Sequence, residues 1–243
     1  MRFALTLESA EPEFFVPLHY NASIQAALYT LLPDDFSSFL HDTGFVYEKR
    51  TFRLFTFSRL IGEYLLKKEE GRIYFRSPVR LVVSSPLKPF CEAILASLLE
   101  EKKLRIGGAL LRVTGVNSQQ NDVSSDTVRV RTLSPVTIYS TMYRGDGSRF
   151  TVYFHPRDKD FAKLVQENMR KKTELLHGGD TPFHFQLSED GKTRKHMIYY
   201  KKTVIEGYSG TFYLRGTPQV LQTALDVGLG AKNSQGFGCL QLV

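Results

Sequence analysis

The order in which the apolar period changes along this chain limits its fold more than any single motif. Phe3, Leu5 and Leu7 alternate with other residues, the period of a strand over residues 1–8. A helix is expected near 21–32, with Asn21 or Ser23 as N-cap and Ile24, Ala27, Leu28, Leu31 and Leu32 facing inward. Pro33-Asp34-Asp35 restarts a second helix, with Phe36, Phe39 and Leu40 as its apolar residues, and it stops near Gly44. Residues 51–57 alternate as a strand, and residues 73–83 form another, broken at Pro78. An amphipathic helix over 88–101 and a closing strand over 110–116 complete the half. Strand, helix, strand, strand, helix, strand is the split βαβ order of a ferredoxin-like domain.

The second half repeats that order more faintly. Phe150 to Phe154 alternates as a strand and Asp158 to Leu176 is a long helix. Phe183 to Leu187 and Met197 to Leu214 supply strands, 217–227 a helix and 237–243 the last strand. The polar stretch from Asn117 to Asp126 is the linker. The chain therefore reads as an α+β protein of two tandem ferredoxin-like (βαββαβ, RRM-like) domains, at 1–120 and 121–243.

Composition narrows the class of partner. A net charge of +7 over 243 residues tilts the chain toward a polyanion. Cys91 and Cys239 are far apart and form no redox or metal spacing, which fits a reducing setting. His155, His177, His184 and His196 have no Cys or carboxylate neighbours at ligand spacing, so no metal or other cofactor is expected. The N-terminus has no long unbroken apolar run, and no segment approaches a membrane span. A cytoplasmic protein with no membrane partner is the expectation.

The stretch from Gly228 to Gly238 pairs its glycines, Gly228 with Gly230 and Gly236 with Gly238. Lys232, Asn233, Ser234 and Gln235 lie between the pairs. Glycines permit positive φ and close backbone approach, and such turns can aim several N–H groups at one phosphate. The helix precedes the loop here, so the dinucleotide-binding fingerprint does not apply, and no P-loop motif occurs. A plain structural turn would use the same residues.

Tyr29 lies beside the apolar stripe of the first helix, and His41 ends the second. Both project from the edge of a packed surface, and a His near neutral pKa is eligible for proton transfer. Lys49, Arg50 and Arg53 follow closely, and a cation there could stabilise charge developing on a phosphate. Lys192, Arg194, Lys195, His196, Lys201 and Lys202 form a second basic cluster, interleaved with Tyr199 and Tyr200. Rings that stack on bases beside cations that meet phosphates suit unpaired RNA. The run Arg170-Lys171-Lys172 at a helix C-terminus is accounted for by the helix dipole.

Together these residues resemble the sixth family of CRISPR-associated (Cas) proteins, in the RAMP superfamily, endoribonucleases that cut repeat RNA into guide RNAs. The family's glycine signature, Gly-hydrophobic-Gly, five residues, Gly-hydrophobic-Gly, is complete at Gly228, Gly230, Gly236 and Gly238. MRFALTLE, ALYTLL, FLHDTGF, RLFTFS, LSPVTIY, the helix with Asn168 before Lys171-Lys172, and GTFYLRG look like further landmarks along the full length. The resemblance implies two tandem ferredoxin-like domains and metal-independent cleavage by the ribose 2′-hydroxyl. The products would carry a 2′,3′-cyclic phosphate and a 5′-hydroxyl. It places Tyr29 and His41 at the positions of a family Tyr and His, while the family's Lys falls either on Arg53, by its RLFTF context, or on Lys49, by residue type. The glycine loop would bind RNA backbone and close the domain interface. Implied partners are CRISPR repeat RNA and subunits of a CRISPR effector complex, with the protein a monomer or homodimer. A non-catalytic repeat-binding or backbone subunit is the alternative, since it would share fold and loop.

Overall fold

The computed structural model describes residues 1–119, 122–179, 181–189 and 191–243. The chain divides into two compact units, Met1–Asn121 with Ser234–Gly236, and Asp122–Asn233 with Phe237–Val243. Residues 120 and 121 of the expected linker lie outside the described residues.

In chain order the first unit contains β1 (Arg2–Glu8), β2 (Glu13–Pro17), α1 (Asn21–Tyr29), α2 (Asp34–Ser38), β3 (Phe45–Tyr47) and β4 (Arg50–Phe52). There follow β5 (Thr56–Phe57), β6 (Tyr64–Lys67), β7 (Arg72–Arg76), β8 (Val79–Ser84), α3 (Lys88–Glu101), β9 (Lys103–Ile106) and β10 (Ala109–Ser118). Its main sheet runs β5-β8-β1-β10-β9 with antiparallel neighbours. Taking β1, β5, β8 and β10 as strands one to four of the repeat, the spatial order is four, one, three, two, that of a ferredoxin-like domain. The first strand is central, so its apolar residues are deeply buried: Leu5 and Leu7 have no exposed surface. Ile24 and Leu28 of α1, with Phe90, Ile94 and Leu98 of α3, join them in one core. Their spacing of four residues is the stripe that turns each helix onto a sheet.

Two expectations for this unit need correction. Residues 51–57 are not one strand, because Leu54 takes φ 55° with its side chain buried, separating β4 from β5. Neither Asn21 nor Ser23 caps α1; the cap position is Tyr20, and Asn21 is a buried first-turn residue. Outside the expected order, β2 and β6 flank β7 in a separate three-stranded sheet.

The second unit contains β11 (Thr127–Thr132), β12 (Tyr139–Tyr143), β13 (Arg149–Tyr153), α4 (Lys159–His177) and β14 (Phe183–Leu187). It continues with β15 (Thr193–Tyr200), β16 (Thr203–Gly216), α5 (Pro218–Val227) and β17 (Leu240–Leu242). The sheet order β14-β16-β11-β17 is again four, one, three, two, and β15 pairs with the first part of β16. The strand that opens this repeat is β11, where 150–154 was expected; the latter forms β13, paired with β12 alone in a two-stranded ribbon. In β11 the exposed Arg129 and Arg131 flank Val130, which has no exposed surface, so this central strand shows little apolar period. Phe161, Val165 and Met169 of α4 pack with Val220, Leu221 and Ala224 of α5 and with Phe212 and Leu214 of β16. Both units are thus ferredoxin-like, and the fold is α+β.

The assignment of β11 can be checked by stability. Val130→Ala should lower the unfolding free energy by about 2 kcal/mol. Val152→Ala, half-buried on β13, should cost less than about 1 kcal/mol. Equal costs in denaturant titrations would argue against β11 as the central strand.

Candidate active site

The short helix α2 does not end as an ordinary α-helix. Phe39–Thr43 widens into a π turn, closed by the Gly44 N–H donating to the Phe39 carbonyl at 2.6 Å. Leu40 anchors the turn in the core with no exposed surface, while its neighbour His41 stands exposed. Gly44 has φ 62°, and a Cβ there would lie 2.9 Å from the Phe52 carbonyl oxygen. Only glycine fits that reversal, which sends the chain straight into the β3–β4 hairpin.

Arg53, just past β4, closes the site from the other side. Its Nε donates to the Leu40 carbonyl at 2.9 Å and an Nη donates to the His41 carbonyl at 2.8 Å. The guanidinium therefore satisfies two carbonyls that the end of the helix leaves without partners. Tyr29, the last residue of α1, is half-buried against Phe55, with ring centroids 5.9 Å apart. Its ring meets that of His41 edge-on, at 6.2 Å and 81°. Burial raises the Tyr29 phenol above its ordinary pKa, against the opposing effect of the Arg53 guanidinium beside it. At neutral pH the phenol is therefore protonated, a donor. His41 Nδ1 lies 2.6 Å from Asp42 Oδ1. With Nδ1–H donating to that carboxylate, the lone pair of the imidazole is on Nε2.

Tyr29, His41 and Arg53 are thus brought together. Lys49 is exposed in the turn at the far end of the β3–β4 hairpin, whose register pairs Tyr47 with Arg50 at the tip and Phe45 with Phe52 at the base beside Arg53. Asp42 was missed from the sequence; an exposed carboxylate after a histidine carries no periodic signal.

The glycine loop departs from the expectation of N–H groups gathered on an anion. The N–H groups of Leu229, Ala231 and Gly238 donate to the carbonyls of Gly238, Thr137 and Pro135, and that of Gly228 closes α5 on Ala224. The loop is built around a cation instead. Lys172 of α4 is 1% exposed, and its ammonium donates to the carbonyls of Gly228 and Gly230 and to Asn233 Oδ1 at 2.7–2.8 Å. Asn233 in turn donates through Nδ2 to the carbonyls of Leu229 and Phe237. A Cβ on Gly238 would sit 2.0 Å from the Leu229 carbonyl oxygen, so the glycine there is a packing requirement. Gly228, Gly230, Gly236 and Gly238 are all buried, whereas Lys232, Ser234 and Gln235 keep some exposure. Ser234–Gly236 belongs to the first unit, where Asn21 Nδ2 donates to the carbonyls of Gln235 and Gly236 at 2.9 and 3.1 Å.

The helix-dipole account of Arg170-Lys171-Lys172 therefore fails for Lys172. The period did carry the signal: Lys172 lies three residues after Met169 and seven after Val165, on the buried stripe of α4. Burial lowers its pKa to about 7.

The second basic cluster lies on the β15–β16 hairpin. Lys192, Arg194, Lys201 and Lys202 are exposed, the last two in its turn. Lys195 is ion-paired with Glu206 at 2.6 Å, and His196 is hydrogen-bonded to the Ser209 hydroxyl at 2.7 Å. Among the described residues, no three His, Cys, Asp or Glu side chains gather as a metal site.

Comparison with known proteins adds to this geometry. Residues 118–242 match the family model described as CRISPR associated protein Cas6, C-terminal. The CRISPR-associated endoribonuclease Cas6 1 of Methanocaldococcus jannaschii is 24% identical over 98% of this chain and 91% of its own. A solved structure described as CRISPR associated protein Cas6 superposes with a TM-score of 0.81 at 25% identity, covering 100% of this chain and 99% of the other. Another, described as an RAMP protein binding different RNA substrates, superposes at 0.84 with 19% identity, covering 100% and 99%.

Lys172→Met would leave three buried oxygens without a donor and should lower stability by at least about 3 kcal/mol. The pH dependence has a definite sign. The folded-state pKa is depressed, so the cost of keeping Lys172 charged is full below about 7. Between about 7 and the ordinary 10.5 the unfolded chain binds more protons, and stability gains up to about 1.4 kcal/mol per pH unit from this group. Denaturant titrations of wild type and Lys172→Met across that range should diverge accordingly; parallel curves would contradict it.

Proposed function

The chain belongs to the Cas6 family, and on that premise we propose that it is an endoribonuclease that cuts CRISPR repeat RNA without a metal ion. The observation that carries this reading is the convergence of Tyr29, His41 and Arg53 at one helix end, with Asp42 on His41 Nδ1. The relative from Methanocaldococcus jannaschii, an endoribonuclease by name, and the RNA-binding RAMP neighbour agree with it.

In this reading, the Nε2 lone pair of His41 takes the proton of a ribose 2′-hydroxyl, and that oxygen attacks the adjacent phosphorus. The bond from phosphorus to the 5′-oxygen breaks, and the Tyr29 phenol, protonated through neutral pH, delivers a proton to the departing oxygen. Arg53 steadies the extra negative charge of the pentacoordinate phosphate, and its grip on the Leu40 and His41 carbonyls holds the imidazole in line. The products are a 2′,3′-cyclic phosphate and a 5′-hydroxyl. Arg53 is favoured over Lys49 as the cation by its proximity to Tyr29 and the His41 backbone. A non-catalytic repeat-binding or backbone subunit would need none of this arrangement.

His41→Ala should slow cleavage of labelled repeat RNA by roughly 10²–10⁴-fold while binding stays close to wild type. Undiminished cutting by that variant in EDTA would remove His41 from the mechanism. Arg53→Ala should impair cleavage far more than Lys49→Ala, and the reverse ranking would transfer the role to Lys49. Affinity for repeat RNA should fall linearly with log salt concentration, by about one unit of slope per phosphate contacted. A flat response would rule out the basic surfaces as RNA contacts.

A further inference from the structure

The ribbon β12–β13 belongs to neither the ferredoxin-like sheet nor the candidate active site. Its register sets Tyr139 opposite Tyr153, Thr141 opposite Thr151, and Tyr143 opposite Arg149. Residues directly opposite share a face, so these six side chains line one side of the ribbon. The Tyr139 and Tyr153 rings lie 5.8 Å apart, and the Lys232 ammonium stands 5.0 Å from the centre of the Tyr139 ring. Farther along, the Arg149 guanidinium stands 5.5 Å from the centre of the Tyr143 ring. The reverse side holds a third such pair, Arg144 over Phe150 at 5.4 Å. Cation–ring pairs occur about once per 70–80 residues, so three on one ribbon is a concentration. Core packing does not account for it, since Tyr143 is 65% exposed.

We propose that the face bearing Tyr139, Tyr143, Arg149 and Tyr153, continued by Lys232, is a stacking track for unpaired nucleotides of RNA. Tyr143 offers an exposed ring to a base and Tyr139 a half-buried one, and the cation beside each meets the adjoining phosphate. Tyr153, half-buried and donating to the Val204 carbonyl, supports the Tyr139 ring. The paired cations select a nucleic acid over an apolar protein surface. The carboxylate at the turn, Asp146, accepts from the Ser148 N–H at 2.8 Å, which ties it into the turn. The track also has a defined start. Ala231 bridges to Thr137, which brings Lys232 of the glycine loop over Tyr139. From there to Tyr143 the strand extends about 13 Å. Stacking is indifferent to base identity, so this track would hold unpaired RNA of many sequences.

This inference rests on the proposed RNA reading, and one experiment separates the two. Fluorescein-labelled oligouridylate, which has no secondary structure, is titrated with wild type, Tyr143→Ala, Tyr143→Phe and Arg149→Gln, alongside cleavage of repeat RNA. Tyr143→Ala should weaken oligouridylate binding by about 5- to 100-fold, Tyr143→Phe should restore it, and Arg149→Gln should reduce the salt slope by about one. The cleavage rate at saturating repeat RNA should not change in any of the three. Unchanged affinity in Tyr143→Ala, with wild type binding and cutting, overturns the track alone. Wild type that neither binds nor cuts RNA overturns both readings. Self-association lost in Tyr143→Ala would assign the face to a second copy and likewise overturn the track. Should Tyr143→Ala fail to melt cooperatively, the comparison of Arg149→Gln with wild type decides.

Discussion

An ammonium group buried among neutral oxygens sets the form of the glycine loop. A charge held away from water is costly unless hydrogen bonds replace its hydration. Lys172 has three donors, and it finds three acceptors at 2.7–2.8 Å. Those acceptors lie 56 to 61 residues away in sequence, so the ammonium ties α4 to the end of α5 and to the start of the loop. The glycines make this possible here, since Gly228 and Gly230 take positive φ where their carbonyls turn toward the ammonium. A loop that resembles an anion nest in sequence is thus a cation cradle in structure. Four of its N–H groups, those of Gly228, Leu229, Ala231 and Gly238, are already engaged by protein carbonyls, while Lys232, Ser234 and Gln235 keep side-chain exposure.

The same chemistry recurs in the first unit in a more exposed form. Arg53 is a cation placed on the two carbonyls at the end of a helix, and His41 is held because the helix end is held. The candidate active site is therefore a by-product of how a short helix terminates: a π turn, a glycine reversal and an arginine clamp. This explains why the participating side chains are close without any of them being deeply buried: Tyr29 and Arg53 are half-buried and His41 is exposed.

Much of this was legible in the sequence wherever burial is one-sided. The α3 helix over 88–101, β14 over 183–187 and the split βαβ order follow directly from period, because each such element buries a single stripe. Tyr29 and His41 were legible for a related reason, as polar-tipped residues at the margin of such stripes. The period misled where backbone and surface chemistry conflict. Leu54 is apolar and in phase, yet its positive φ breaks the strand it was expected to continue. Arg129 and Arg131 hid a central strand, since only Val130 faces the core between them. Lys172 was hidden by composition: within a run of basic residues, the one facing inward looks like its neighbours until the helix is drawn.

One detail of topology bears on the order in which the molecule is completed during synthesis. β1 pairs with β10 across more than a hundred residues, and β11 with β17 across a similar span. Each unit must keep its central strand waiting for its last neighbour. The first unit waits longer still, because Ser234–Gly236 belongs to it and Asn21 hydrogen-bonds to Gly236, 215 residues downstream. On the ribosome that unit can assemble its sheet and its three helices early. It leaves Asn21 and the ring of Phe57 without their final cover until residue 236 has been made.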